Sequence, residues 1–300
     1  MLYSCAVYIS SGLSTVATRA AAAAAATSSR VAVVDTFTDT AYARSSVKLV
    51  AEPDSLLAAA EAAAAAALEL VDLSQEPHPA PHPRQGAVDM ISFMPLSERR
   101  ADAISDELRA CDELAWRLGE RLGGTHGCPV LMYGPRATRT LVDARRGTSF
   151  FASTKAASPR EATTQLPLDF GPGSGGAGAA AATLPQRAGV AILGVQPYVT
   201  NFNVCVSGAS LAACKEAASA LRSQYGVQVM ALPHAGDTIE IGCNLQAREG
   251  VDSPARDAVL DLITAQVQPA GGVVRRSYVI GLTPGDALSR AEAALNGRAG

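Results

Sequence analysis

The chain has 300 residues, of which 48% are hydrophobic and 18% charged, and its formal net charge is -3. This composition supplies enough apolar side chains for a packed core and excludes a mainly disordered chain. The length exceeds that of a usual single domain, so we expect two domains or subdomains. No stretch has the ~20 large apolar residues that a membrane span needs, and no basic stripe indicates a nucleic-acid partner.

The first 34 residues are consistent with two interpretations. They contain two arginines, many serines and alanines, and no acid before Asp35, which is typical of an organelle transit peptide. The same residues predict a strand at 5–9, a helix at 13–26 and a strand at 31–34. We favour this folded opening, and with it a cytoplasmic protein. Six scattered cysteines without a Cys-x-x-Cys pair favour reduced, buried thiols over a zinc site.

Strands and helices alternate along the rest of the chain. The first half predicts strand 45–50, helix 53–71, strand 87–93, helix 101–122 and strand 130–133. The residues from 147 to 186 have no strong period and include a Gly/Ala-rich run. After them the sequence predicts strands at 190–193, 199–206, 227–232, 238–245 and 273–282, and helices at 211–225, 254–267 and 284–295.

This order of elements predicts an α+β protein with two ferredoxin-like α/β subdomains, whose mixed sheets flank a cleft. The N-terminal subdomain is predicted to span residues 1–150 and the C-terminal subdomain residues 187–300. Residues 151–186 are predicted to be both a Gly/Ala-rich linker and a functional loop, because so long a segment without regular structure is unusual in a compact domain.

Two of the four histidines, His78 and His82, lie in a loop with four prolines between residues 76 and 86. The prolines exclude a helix and hold the loop side chains at fixed positions. Because imidazole titrates near neutral pH, a rigidly placed histidine suits proton transfer. From these residues alone, three roles are possible for the histidines: a solvated or structural role, catalysis, or metal binding. A zinc-binding pair with this spacing normally lies on a helix, which this loop cannot form.

Other polar residues have a structural and a functional interpretation. Asp35 and Asp39 follow a predicted strand, where a carboxylate could orient a histidine or cap a turn. Asn201 and Asn203 point the same way from a predicted strand, toward a polar ligand or a neighbouring loop. The glycine run beginning at Gly171 could approach a flat ligand or act as a spacer, but it has neither phosphate-binding glycine pattern.

Several segments together resemble the formiminotransferase domain family. The most specific is the sequence HPRQGAVD at residues 82–89, which is similar to the family's HPRxGAxD run with the catalytic histidine. Supporting segments follow in family order over nearly the whole chain, at residues 129–134, 146–147, 169–172, 189, 194, 201–203 and 277–284.

The resemblance implies transfer of a formimino or formyl group between glutamate and tetrahydrofolate, with His82 as general acid/base. Tetrahydrofolate would be a co-substrate, no metal would take part, and a homodimer stays open. The residues implied for folate binding are Asp169, Gly171, Pro172, Gly189, Gly194, Asn201 and Asn203. We further expect Arg44 and Arg84 to bind substrate carboxylates. Asp35 or Asp39 is expected to orient His82.

The sequence also departs from the family pattern. Residues 7–12 read VYISSG where the family has a PNFSEG-like segment, and Ala43 stands where an Asn precedes Arg44. Tyr278 occupies a position that usually bears an amide or an acid. No deaminase-type domain follows, so we expect transferase activity alone. The alternative is a non-catalytic folate-binding or regulatory protein on the same fold.

Overall fold

The computed structural model describes residues 1–75, 84–96, 105–148, 163–172, 174, 182–248 and 251–297. The chain divides into two compact units. The first comprises Met1–Leu96, Asp106–Gln196 and Asp286–Gly300, and the second consists mainly of Pro197–Gly285. Each unit has its own sheet and its own helices, so the expected α+β architecture with two subdomains is confirmed.

The first unit begins with a β-α-β-β-α-β order, which is the ferredoxin-like arrangement. These elements are β1 (Tyr3–Ile9), α1 (Ser14–Ala26), β2 (Ala32–Asp39), β3 (Arg44–Ala51), α2 (Pro53–Leu70) and β4 (Val88–Pro95). They are followed by α3 (Ser105–Gly124), β5 (Val130–Tyr133), α4 (Leu141–Arg146), β6 (Thr163–Thr164), β7 (Ala182–Thr183) and β8 (Ala191–Val195). The strand order is β2-β3-β1-β4-β8-β5, and β8 pairs in parallel with β4 and β5.

Alanines bring α1 and α2 close to the first sheet. Five alanines of α2 and three of α1 are buried, since their small side chains allow the helices to lie close against the sheet. Pro53 starts α2, where its missing N–H costs no helical hydrogen bond. The low-complexity alanine stretch is therefore a core helix, as its helix propensity predicts.

The second unit repeats the same topology. Its elements are β9 (Thr200–Ser207), α5 (Leu211–Tyr225), β10 (Gln228–His234), β11 (Thr238–Leu245), α6 (Arg256–Val267) and β12 (Val273–Ile280). The last helix, α7 (Pro284–Asn296), belongs to the first unit from Asp286 onward. The strand order is β10-β11-β9-β12, and every pairing is antiparallel. The Ser210 hydroxyl accepts a hydrogen bond from the Ala213 N–H, and Gly226 ends α5 in the left-handed conformation.

Each sheet has two chemically different faces, because successive side chains of a strand point to opposite sides. One face of the first sheet packs on α1 and α2 through Cys5, Val7, Val47 and Leu49. We call its opposite side the polar face of the first sheet, which includes Ser4, Ala6, Tyr8, Lys48 and Ser92. In the second unit Phe202, Val204 and Ile241 join the core with α5 and α6. The opposite side, the polar face of the second sheet, includes Asn201, Asn203, Cys205, Glu240 and Asn244.

Two further features concern the cysteines and the apolar character of the helices. All six cysteines lie in the described part of the chain, and each is buried and free of disulfide bonds. Among the described helices, none combines the length and the apolar character that a membrane span requires.

Candidate active site

The segment that follows His82 is fixed to the first sheet by backbone pairing. His82 itself, like His78, lies outside the described residues, and the description resumes at Arg84. The Ala87 N–H donates to the Ala188 oxygen at 2.8 Å, and the Ser10 N–H donates to the Ala87 oxygen at 3.0 Å. A side chain at Gly86 would overlap the Val190 oxygen, so this close approach requires glycine.

Arg84, expected to bind a substrate carboxylate, is buried. Its guanidinium donates to the Leu73 backbone oxygen at 3.5 Å. The Gln85 side chain, which is also buried, accepts a hydrogen bond from the Thr148 hydroxyl. Both side chains thus anchor the middle of the HPRQGAVD segment within the first unit.

Asp89 is the centre of a buried ionic network. Its side chain is fully buried, and it forms ion pairs with Arg44 of β3 and, at 3.4 Å, with Arg145 of α4. The Gln85 N–H donates to the same carboxylate, which ties the network to the segment after His82. Arg44 was expected at the site from the sequence, whereas Asp89 and Arg145 were not.

The network changes the electrostatics around it. Burial lowers the pKa of Arg145; Asp89 opposes this change and Arg44 adds to it. Tyr8, on the neighbouring strand β1, has a pKa raised by burial, although the two guanidiniums of Arg44 and Arg145 work against the rise. Since the charges of Arg44 and Arg145 both act to lower the pKa of Tyr8, its hydroxyl lies in the positive field of the Asp89 network.

Asp35 and Asp39 lie at different positions along β2. Asp39 stands opposite Arg44 in the strand register, and its carboxylate accepts a hydrogen bond from the Tyr42 N–H at 2.9 Å. Asp35 stands opposite Lys48. Lys48 is only 5% exposed, and burial lowers its pKa to about 8, while the charge of Asp35 acts in the raising direction. Asp39 is thus the one of the two that lies beside the Asp89 network.

The segment expected to bind folate is fastened to β5. The Asp169 carboxylate accepts from the Met132 N–H at 2.8 Å and forms an ion pair with Arg139 at 3.1 Å. The ring of Phe170 packs edge-on against Trp116 at a centroid distance of 5.5 Å. Pro172 follows at the surface. This segment is therefore held in one position against the first sheet.

The three glycines of the expected folate set lie where backbones approach closely. Gly171 has a φ of +91° and Gly189 a φ of +65°, a region that favours glycine. A side chain at Gly171 would overlap the backbone oxygen of Cys128. One at Gly189 would overlap that of Gln85, and one at Gly194 would overlap that of Tyr133. Packing alone thus accounts for glycine at all three positions.

A row of carboxamides crosses the polar face of the second sheet. The Asn201 amide donates to Asn244 on β11 at 2.7 Å, and the Asn244 amide donates to Gln228 on β10 at 3.1 Å. Asn203 lies one step along β9, opposite Gly242, and is 7% exposed. The amides expected from the sequence therefore contact neighbouring strands of their own sheet.

A second polar cluster lies further along the same face. The Glu240 carboxylate is buried and accepts hydrogen bonds from the Tyr278 hydroxyl and, at 3.7 Å, from the Cys205 thiol. The Arg276 guanidinium lies 4.7 Å from the centroid of the Tyr278 ring. Burial raises the pKa of Tyr278, and the hydrogen bond to Glu240 adds to the rise.

Sequence reasoning missed the partners that make these clusters. Lys48 and Glu240 each interrupt an apolar strand, at Val47-Lys48-Leu49 and Ile239-Glu240-Ile241. A charge at an alternating strand position is a signal that could have marked the polar faces. No comparable signal marks Arg145, since a short helix brings it to Asp89 from 56 residues away.

The sequence is similar to known proteins over most of its length. Residues 2–196 match the formiminotransferase domain, N-terminal subdomain. The chain is 30% identical over 307 aligned residues to a formiminotransferase cyclodeaminase-like protein of Arabidopsis thaliana, covering 99% of this chain and 98% of the relative. It is also 30% identical over 200 residues to a glutamate formimidoyltransferase of Thermoplasma acidophilum, covering 65% of this chain and 59% of that protein. A formimidoyltransferase-cyclodeaminase of Gallus gallus matches over 25% of its own length at 30% identity.

Proposed function

Because the chain belongs to the formiminotransferase family, we propose that it is a folate-dependent transferase that moves a formimino or formyl group between glutamate and tetrahydrofolate. His82 is its general acid/base. The observation that supports this most directly is the anchoring of the residues after His82. Gln85 and Asp89 join the segment to Arg44 and Arg145, so a polar, positively charged environment begins three residues from the imidazole.

His82 moves one proton in the proposed reaction. The imidazole accepts a proton from the attacking amine and returns it to the departing amine, which suits a side chain that titrates near neutral pH. Asp39, beside Arg44 in the strand register, is the better placed of the two acids for a role near Asp89, and Asp35 faces Lys48 instead. The orienting role of Asp39 toward His82 is part of the proposal.

Arg44 is the stronger candidate for a substrate carboxylate. Its side chain is partly accessible, at 16% relative exposure, and guanidinium geometry matches a carboxylate. Arg84 contacts the Leu73 backbone instead, so we assign it to positioning the His82 loop.

The residues present fit a pteridine co-substrate. A folate ring offers several N–H and C=O groups, and the row of Asn201, Asn244 and Gln228 consists of neutral carboxamides that can donate and accept. Asn203 and the fixed segment from Asp169 to Pro172 belong to the same proposed set of folate contacts, together with Gly189 and Gly194. Tetrahydrofolate would supply the nucleophilic amine, while the protein binds, orients and transfers the proton.

A non-catalytic folate-binding protein is the second candidate. It is favoured by Tyr8, a bulky phenol in the field of Arg44 and Arg145, within the segment that departs from the family's PNFSEG-like pattern. Such a change leaves folate contacts elsewhere untouched but alters the surroundings of the transferred group.

A turnover and binding assay distinguishes the two candidates. We expect His82→Ala to lower turnover of formiminoglutamate or 5-formyltetrahydrofolate by about 10²- to 10⁴-fold, as for the loss of a general acid/base, with folate affinity nearly unchanged. His126→Ala is the matched control, because His126 contacts Glu61 on the helical side of the first unit.

The other outcomes are equally informative. If the wild-type protein binds 5-formyltetrahydrofolate but turns over neither donor, the binding-protein candidate is correct. If instead the protein turns over neither donor and folate fails to raise the melting temperature, both candidates are wrong, because a ligand of the native state must stabilise it.

A further inference from the structure

Gln85 has a buried carboxamide whose nitrogen end is free. It occupies the position that the HPRxGAxD pattern leaves open, three residues after His82. Its backbone is fixed on both sides, because its N–H donates to Asp89 and its oxygen accepts from the Val190 N–H at 3.1 Å. The Thr148 hydroxyl donates to the side-chain oxygen, and the residue is fully buried. The Nε2 amide group makes no hydrogen bond within the described part of the chain.

A second buried donor lies where β1 ends. The Ser10 N–H donates to the Ala87 oxygen at 3.0 Å, two residues along the chain from Gln85. Ser10 directly follows Ile9, which packs in the core, so the alternation of side chains directs it to the polar face of the first sheet. It is 2% exposed, and its hydroxyl has no hydrogen-bond partner among the described residues. Two such groups so close in the fold require an explanation, because buried polar atoms without partners are rare.

The charged groups beside these two side chains already interact with one another. The Asp89 carboxylate is shared by Arg44 and Arg145. Asp39 stands opposite Arg44 and accepts a hydrogen bond from a backbone N–H. Both carboxylates therefore have donors, whereas a cationic ligand would need a carboxylate of its own. Tyr8, two residues before Ser10, lies in the positive field of the two guanidiniums.

Two neutral donors without an acceptor suit an uncharged oxygen. A buried N–H or O–H group is unfavourable until an acceptor is close. A formyl group is neutral, and its oxygen can accept two hydrogen bonds. A formimino group is a protonated amidine at neutral pH and carries N–H donors only. We propose that Gln85 and Ser10 form a formyl subsite, in which both side chains donate to the formyl oxygen, and that the protein therefore prefers formyl to formimino.

The formyl subsite rests on the proposed function for its class of ligand, and it selects one of the two one-carbon groups that this function allows. As the attacking amine forms its bond to the formyl carbon, the carbonyl electron pair moves to the oxygen. The pair returns when the bond to the departing nitrogen breaks, and His82 passes the proton from one amine to the other. Gln85 and Ser10 hold the oxygen while it is negative, which strengthens their hydrogen bonds. Thr148 is a positioning residue, since it fixes the orientation of the Gln85 amide.

A matched pair of ligands tests the formyl subsite. N-formyl-L-glutamate and N-formimino-L-glutamate differ only in the group that Gln85 and Ser10 would contact. Calorimetric titration of the full chain without tetrahydrofolate measures the affinity for each ligand. We expect wild-type protein to bind the formyl compound at least about 10-fold more tightly, because only this compound accepts the two hydrogen bonds.

Three variants assign the preference to its residues. Gln85→Leu should weaken binding of N-formyl-L-glutamate by about 10-fold and Ser10→Ala by about 3- to 10-fold, with N-formimino-L-glutamate nearly unaffected in both. Gln85→Glu should abolish the preference, because a carboxylate cannot donate to the formyl oxygen and attracts the amidinium. Gln224→Leu is the control, since it changes an exposed glutamine of α5, and it should alter neither affinity.

Turnover with added tetrahydrofolate separates the formyl subsite from the proposed function. Transfer from both ligands with equal kcat/KM, unchanged in Gln85→Leu, would retain the proposed function and refute the subsite. A Gln85-dependent preference in binding, without transfer from either ligand, would refute the proposed function and retain the subsite.

The formyl subsite is overturned if wild-type protein binds N-formimino-L-glutamate as tightly as N-formyl-L-glutamate, or if it binds neither. If Gln85→Leu fails to fold by circular dichroism, the preference of the wild-type protein and the affinities of Ser10→Ala decide the result.

Discussion

The two units share one topology but place charge differently. Both arrange β-α-β-β-α-β elements in the same strand order, and both cover one face of the sheet with helices. On the other face the first unit buries ions, namely the Asp89 network and Lys48. The second presents neutral amides and one buried carboxylate, Glu240, which is bonded to neutral donors, and its guanidinium, that of Arg276, is exposed. Buried ions require partners, since their desolvation is unfavourable, so the first unit should be the more sensitive to charge changes.

The largest expected difference comes from neutralising one carboxylate in each unit. Asp89→Asn leaves Arg44 and Arg145 around a neutral amide and should lower the free energy of unfolding by about 3–5 kcal/mol. Glu240→Gln keeps an acceptor for the Tyr278 hydroxyl and should cost about 1 kcal/mol. Urea unfolding, followed by fluorescence of Trp116, reports the first unit, because Trp116 is the only tryptophan and lies in α3.

Asp106→Asn serves as the control for Asp89→Asn, since its side chain is 88% exposed. Circular dichroism follows both units together. If Asp89→Asn and Glu240→Gln lower the free energy of unfolding equally, the two units do not differ in their sensitivity to the loss of a buried charge.

A pH dependence of about 3 kcal/mol is expected from Lys48. Its folded pKa, lowered to about 8 by burial, lies below the usual value of 10.5. Between these two values the unfolded chain binds the proton and the folded protein does not, so stability rises with pH through this window. Below pH 8 both states are protonated and the unfavourable burial of the charge is fully present.

The stability difference between wild type and Lys48→Met should therefore shift in favour of wild type from pH 8 to pH 10.5. Urea unfolding at half-unit steps of pH measures it, and Lys215→Met, which changes an exposed lysine of α5, should run parallel to wild type. A constant difference across this window would mean that Lys48 does not titrate with a lowered pKa.

The smallest effect separates two glycines with similar backbone conformations. Gly189 in the first unit and Gly236 in the second have φ values of +65° and +70°. A side chain at Gly236 meets nothing within 4 Å, so Gly236→Ala should cost only the backbone strain of about 1 kcal/mol. Gly189→Ala adds overlap with the Gln85 oxygen, and should cost about 2 kcal/mol more. Thermal unfolding of both variants measures the difference between their stability losses. Similar melting temperatures for the two variants would contradict this prediction.

Local sequence patterns predicted most of the fold. The helix at 211–225 and the strand at 238–245 coincide with α5 and β11, because their periodicity, caps and turn residues agree. The short α4 was missed, although Thr140 and Asp143 form a capping box at its start. Six residues are too few to show a helical period against the background of a loop.

The candidate site was predictable only in part. The motif at residues 82–89 and the amides of β9 were visible in the sequence, but their partners were not. Asn201 bonds to Asn244 on another strand, and Asp89 bonds to Arg44 and Arg145 at 45 and 56 residues' distance. Pairing over such separations depends on strand register and helix placement, which no local pattern specifies.

The sequence by itself determined the α+β class, the boundaries of most elements and the resemblance of the 82–89 segment, because propensity, periodicity and a short motif act over a few residues. Only the tertiary structure decided which charges share a buried carboxylate and which side of each sheet is polar. The physical reason is that burial and ion pairing arise from neighbours distant in sequence, and the free energy of a charged group depends on those neighbours more than on its own chain segment.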